Sequence, residues 1–239
     1  MRPIEEFVDD RYRGICIYCG GRSGESADHV PTRCLLSDPR PKYTPKVSVC
    51  SKCNNSFSKD EEYFWLFLHC VLVGSTDPKL HRDPRVSRSL CRHNSLRDRI
   101  EKSRIEYRTL FDGDMIEWAP EMDRIDSVVV KNARGHVAYE YSIPVISDPI
   151  SVSVMPFAAM SREAIEDSLF AHTSSERWPE IGCRMMTRAL TGEAIRDGWI
   201  VVQEGVYEYL VEDFEYGARV RTMIYGYLAT DTIWEDLYD

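Results

Sequence analysis

Cys16, Cys19, Cys50 and Cys53 stand in the spacing C-x2-C-x30-C-x2-C. Two x-x knuckles are the usual way a short chain supplies four thiolates to one tetrahedral zinc ion. Such a centre is closed and structural, with no open position for a reaction. It has no use for the residues enclosed by it and adjoining it, Asp28-His29-Val30-Pro31 between the pairs and Asn54 directly after the last cysteine. A histidine titrates near neutrality and can take a proton from water. An Asp carboxylate and an Asn carboxamide oxygen are hard donors suited to Mg²⁺ or Mn²⁺. The same residues also have plainer uses: His29 as a turn residue, and Asn54 as a helix start. Adjacent residues of a strand point to opposite faces, so Asp28 and His29 serve one cation only if the backbone there is bent or bulged.

The run C-x-x-C, then D-H-V-P, then C-x-x-C-N is similar to the zinc-bearing HNH endonucleases, and the match extends through "CNNSFSKDEEYF". It covers roughly residues 14–64. "RIDSVVVKNARGHVAYEY" and "EGVYEYLVEDF" resemble, more faintly, segments of the domain that trails this motif in a bacterial subfamily. The resemblance implies a ββα-metal module with His29 as general base. Asp28 and Asn54 would ligate a catalytic Mg²⁺ or Mn²⁺, and the four cysteines would hold structural zinc. The family usually carries a further Asn shortly before the second cysteine pair, where it orients the histidine. This chain reads "KYTPKVSVC" there, leaving the hydroxyl of Tyr43 or Thr44, or a backbone carbonyl, for that task.

Positioning these groups calls for a small strand-like step at Val30-Pro31 and a helix after Cys53 that points Asn54 back at the strands. Ser58 with Glu61 reads as a capping box opening a helix over "KDEEYFWLFLHCVLV", apolar nearly all round and ended by "GSTDP". An Arg-rich helix is predicted over Pro84–Leu110, with an interruption at "HNS", and a turn at "FDGD". Ile125, Val128, Val129, Ala133 and Val137 recur at helical spacing. "ISVSVMPF" alternates like a strand, and "SREAIEDSLFAH" reads as a capped helix. From Trp199 on, three β-rich runs separated by "QEG" and "FEYG" predict an antiparallel meander. The expected class is α+β: a zinc-stapled module over 1–75, then helices and a small antiparallel sheet over 76–239.

The net charge of −9 is unevenly spread. Residues 77–108 hold ten Lys/Arg against five Asp/Glu, and residues 109–239 hold ten against twenty-four. A basic surface for DNA, double-stranded by the resemblance, is therefore compatible with an acidic chain. Arg85, Arg88 and Arg92 fall on one helix face and, with Lys59, are the candidate phosphate contacts; a solvated face is the plain alternative. The acidic C-terminal half is a candidate surface for a protein partner. The longest apolar run, Tyr63–Gly74, is too short to span a bilayer, and the N-terminus has no signal-peptide pattern, so a cytoplasmic protein is expected. The rival to a nuclease is a zinc-knuckle module that binds nucleic acid or protein without cutting.

Overall fold

The computed structural model describes residues 14–22, 24–42, 44–109, 113–161, 165, 194–196, 198–214 and 217–235. The chain is a mixture of helices and antiparallel sheets, and forms two compact units, Met1–Ser56 with Val129–Asp239, and Phe57–Val128. The division falls after Ser56 and after Val128, whereas the sequence suggested one boundary near residue 75.

In the first unit, β1 (Ser26–His29) and β2 (Lys46–Val49) form a two-stranded antiparallel ribbon, followed at once by α1 (Ser51–Ser56). Buried Val47 and Val49 alternate along β2, the period-two pattern of a half-covered strand.

In the second unit, α2 (Ser58–Val73) buries Tyr63 to Leu68 and Cys70, as its nearly continuous apolar surface requires. Gly74 at φ +74° ends it in the left-handed conformation. The expected capping box does not form. Phe57 occupies the cap position with αR dihedrals and no side-chain cap bond, because the chain reaches Ser58 already coiled from α1. The Arg-rich stretch is two helices, α3 (Pro84–Arg92) and α4 (Asn94–Lys102), broken at His93 as "HNS" suggested. It does not reach Leu110: β3 (Arg104–Thr109) pairs with β4 (Gly113–Trp118), Tyr107 opposite Met115. Phe111 and Asp112 of the expected "FDGD" turn lie outside the described residues.

The helix α5 (Met122–Tyr141) matches its expected periodicity. Beyond it come β5 (Ser151–Pro156), β6 (Ala194–Arg196), β7 (Trp199–Gln203), β8 (Tyr207–Phe214), β9 (Gly217–Ile224) and β10 (Leu228–Trp234). They form one antiparallel sheet in the order β5-β10-β9-β8-β7-β6, so the predicted meander is present and β5 closes its far edge. The helix expected at 161–172 lies, but for 161 and 165, outside the described residues, as do Tyr43 and Cys183.

Register sorts the faces of this sheet. Tyr207, Tyr209 and Val211 sit opposite Ile224, Thr222 and Val220, which in turn sit opposite Leu228, Thr230 and Thr232. This face packs on α5: Ala133 and Val137 join Val145, Ala218, Val220 and Trp234 in one buried cluster. His136, fully buried, stacks on Tyr209 with centroids 3.7 Å apart, and its Nε2 lies 3.0 Å from the Tyr207 hydroxyl. The Tyr209 hydroxyl donates to Glu140 at 2.6 Å. The opposite face carries ion pairs, Arg219 with Asp231 at 2.6 Å and Arg221 with Glu212. No helix among the described residues is long and apolar enough to cross a membrane.

Candidate metal centre and the residues around it

The four sulfurs of Cys16, Cys19, Cys50 and Cys53 lie within 4.8 Å of one another, with Cys19 and Cys50 at 4.0 Å. Zinc–sulfur bonds of about 2.3 Å in a tetrahedron put sulfurs about 3.8 Å apart, so the cluster fits a metal ion such as zinc. Two backbone turns build it. In the first, the Gly20 N–H donates to the Cys16 carbonyl at 2.8 Å, and Gly20 at φ +71° makes the reversal. In the second, the Asn54 N–H donates to the Cys50 carbonyl at 3.0 Å. Gly24 is required between them: a Cβ there would lie 2.2 Å from the Ser48 hydroxyl and 2.9 Å from the Gly14 carbonyl.

The Cys53 N–H lies 3.4 Å from the Cys50 sulfur and pulls that thiol down to about 7. Burial, and then its contact with Cys50, push Cys53 up. The directions differ because one thiolate leaves its crowded neighbours as thiols. A cation at the centre removes that conflict and favours all four as thiolates.

Asp28 and His29 are on β1, and Asn54 is on α1. The Asn54 Nδ2 donates to the Ser26 hydroxyl at 3.0 Å. Ser26 and Asp28 are two residues apart on one strand, so Asn54 stands on the Asp28 face of the ribbon. The pairing Asp28 with Val47 and His29 with Lys46 is regular, without the bulge that would turn both side chains to one side. Asp28 therefore faces inward, and His29 shares the other face with exposed Ala27. Partial burial, then the charges of Lys46 and Arg33, hold the His29 imidazole below its ordinary value, against a weaker upward pull from Asp28. His29 is thus neutral at pH 7, with its basic nitrogen available. Among the described residues no hydrogen bond joins Thr44 to His29.

The neighbours of Asp28 were not foreseen. Its Oδ2 accepts from the Tyr18 hydroxyl at 3.0 Å and lies 2.8 Å from Lys131 Nζ. Lys131 is on α5, as are two further residues that fix this strand and the turn after it. Asn132 Oδ1 accepts the Thr32 N–H at 3.0 Å. Gly135 faces Val30 so closely that a Cβ would meet its methyl at 2.6 Å. Residues 131, 132 and 135 form one stripe of α5, beside the stripe of 133, 136, 137 and 140 that packs on the sheet. The signal in the sequence was a lysine and an asparagine adjoining the apolar stripe of this helix.

The proposed phosphate contacts divide. Arg85 is engaged: its Nη2 lies 2.7 Å from Asp83, and its guanidinium lies over the Trp65 ring at 5.7 Å. Arg88 is exposed, with Nε donating to the Pro84 carbonyl at 3.0 Å, and Arg92 and Lys59 are exposed. Among the described residues, the four cysteines are the one group of three or more His, Cys, Asp or Glu close enough to share a metal ion. No protein-family model, no curated protein and no solved structure matches the chain.

Proposed function

We propose that this chain is a zinc-stapled nuclease that hydrolyses phosphodiester bonds of DNA, as its resemblance to the HNH endonucleases implies. One observation carries the reading. The four-cysteine cluster joins the ends of a β-ribbon and a short helix, and that ribbon and helix bear Asp28, His29 and Asn54. Zinc would sit in the cluster and hold the ribbon against α1. His29, neutral at pH 7, would take the proton from the attacking water, which requires β1 to bend at this pair so that it and Asp28 reach the same phosphate. Asp28 and Asn54 offer hard oxygens on their shared face to Mg²⁺ or Mn²⁺, which when bound would neutralise charge on the phosphate and the leaving oxygen. The exposed arginines Arg88 and Arg92, with Lys59, would add salt-dependent phosphate contacts.

A second reading has its own support. The regular strand separates Asp28 from His29, and Lys131 already neutralises Asp28, an arrangement suited to a binding module that does not cut. Supercoiled plasmid incubated with Mg²⁺ or Mn²⁺ separates the two. The nuclease reading expects nicking, and a loss of roughly 10²–10⁴-fold in rate in His29→Ala with DNA binding retained. Because the imidazole must be neutral to act and its pKa is lowered, the rate should persist to lower pH than an ordinary histidine base would allow. No nicking with any divalent cation, alongside normal DNA binding, would establish the binding module.

A further inference from the structure

A lysine ammonium is costly to bury unless it is paired. Lys131 is 1 % exposed at its side chain, and its partner Asp28 is 12 % exposed. The pair meets through one atom: Asp28 Oδ2 receives both the Lys131 ammonium at 2.8 Å and the Tyr18 hydroxyl at 3.0 Å. A carboxylate oxygen offers about two lone-pair sites, so Oδ2 is filled by these two donors, and neither contact uses Oδ1. Resting on the cation-dependent reading above, we infer that Lys131 is a positioning residue of the candidate cation site. It reserves Oδ2, leaves Asp28 to ligate through Oδ1 alone, and sets by its charge how tightly a divalent cation is held.

Two physical consequences follow from that geometry. A carboxylate restricted to one oxygen suits the small octahedral ions Mg²⁺ and Mn²⁺ and disfavours Ca²⁺, which commonly takes both oxygens of a carboxylate. An ammonium beside the ligand also repels the cation in a partly buried setting where charges are poorly screened. The pair thus gives up cation affinity and fixes Asp28 in one orientation. The anchor is firm because α5 meets the same segment twice more, through the Asn132 bond to Thr32 and the contact of Gly135 with Val30. A lysine with a merely structural role would stabilise the chain without governing which cation binds.

The test is Mn²⁺ binding to the zinc-loaded full chain at fixed pH, read from the electron paramagnetic resonance of free Mn²⁺. Zinc content and near-ultraviolet circular dichroism report the fold. Lys131→Met is expected to bind Mn²⁺ about tenfold more tightly than wild type, to gain Ca²⁺ binding, and to nick plasmid at least about tenfold more slowly. Lys131→Gln keeps a donor for Oδ2 without the charge, and is expected to tighten Mn²⁺ binding if Lys131→Met does not fold. Lys131→Arg keeps the charge and should stay near wild type. Equal or weaker Mn²⁺ binding in folded Lys131→Met or Lys131→Gln overturns the inference. If Asp28→Ala abolishes Mn²⁺ binding in that case, the cation-dependent reading survives alone. If Asp28→Ala binds Mn²⁺ like wild type and nothing cuts DNA, both fall. Mn²⁺ binding that appears only when Lys131 is neutralised supports the control by Lys131 and removes the cation-dependent nuclease.

Discussion

The cysteine region at 14–56 and the sheet at 194–234 belong to one compact unit but are held together by different means. The ribbon β1–β2 has four residues in each strand, and besides Cys16 and Cys50 the buried apolar side chains among the described residues of 14–56 are few: Ile17, Tyr18, Val30, Leu35, Leu36, Val47 and Val49. So little apolar surface cannot offset the entropy of ordering the segment. The cysteine cluster and the stripe of α5 supply the difference. In the sheet, β8, β9 and β10 run seven or eight residues each, and a one-residue slip would turn every core side chain outward. Register and packing suffice there without metal. The comparison teaches that the candidate residues Asp28, His29 and Asn54 sit on the part least able to fold alone, and that α5 joins them to the part that can.

The largest expected effect is Cys53→Ser. Coordination of structural zinc is worth about 10–16 kcal/mol in small zinc peptides, so loss of one thiolate should leave 14–56 unfolded. Elemental analysis should fall from about one zinc per chain to near none, while the far-ultraviolet signal of the sheet persists. Loss of both would show that the sheet also depends on the cluster.

Trp234→Ala removes a side chain that is 1 % exposed in the sheet core and should cost about 3–5 kcal/mol in denaturant unfolding. Zinc stoichiometry should stay unchanged in the fraction that remains folded. Zinc loss in parallel would erase the distinction between the two regions.

Gly135→Ala is the finest probe, because it touches the cysteine region from the helix of the sheet. Its Cβ would sit 2.6 Å from Val30, and overpacking of this kind costs about 1–3 kcal/mol. Both zinc retention under chelator challenge and the urea midpoint should drop. A gain in stability, as expected for Ala at an unconstrained helical position, would mean that Val30 yields freely.

Much of this arrangement was legible in the sequence, and the limits are instructive. The cysteine spacing announced the cluster because knuckles are local. The meander was readable because "QEG" interrupts an apolar run that a helix could not break so briefly. The capping box failed at Ser58 because α1 already coils the chain there, which no four-residue pattern records. "RIEYRT" was absorbed into the Arg-rich helix, although its Ile and Tyr alternate with charges as a strand does. Arg85 looked like a free cation because its engagement with Trp65 depends on tertiary structure. Asp28, His29 and Asn54 were picked out one by one, but the pairing of Asp28 with Lys131 spans more than a hundred residues and has no local signature. A lysine and an asparagine beside the apolar stripe of α5 were the hint of it.

Thr32 and Asn132 are joined by a hydrogen bond across a hundred positions of chain. During synthesis at about 5–20 residues per second, Cys53, the last of the four cysteines, is made roughly 4–16 seconds before Asn132. For that interval the cysteine segment exists with its thiols complete and its supporting helix absent. Metal capture is thus available early, and closure of Asp28 against Lys131 comes only after a long loop has been drawn shut. The order of synthesis completes the four cysteines first and brings Lys131 to Asp28 last.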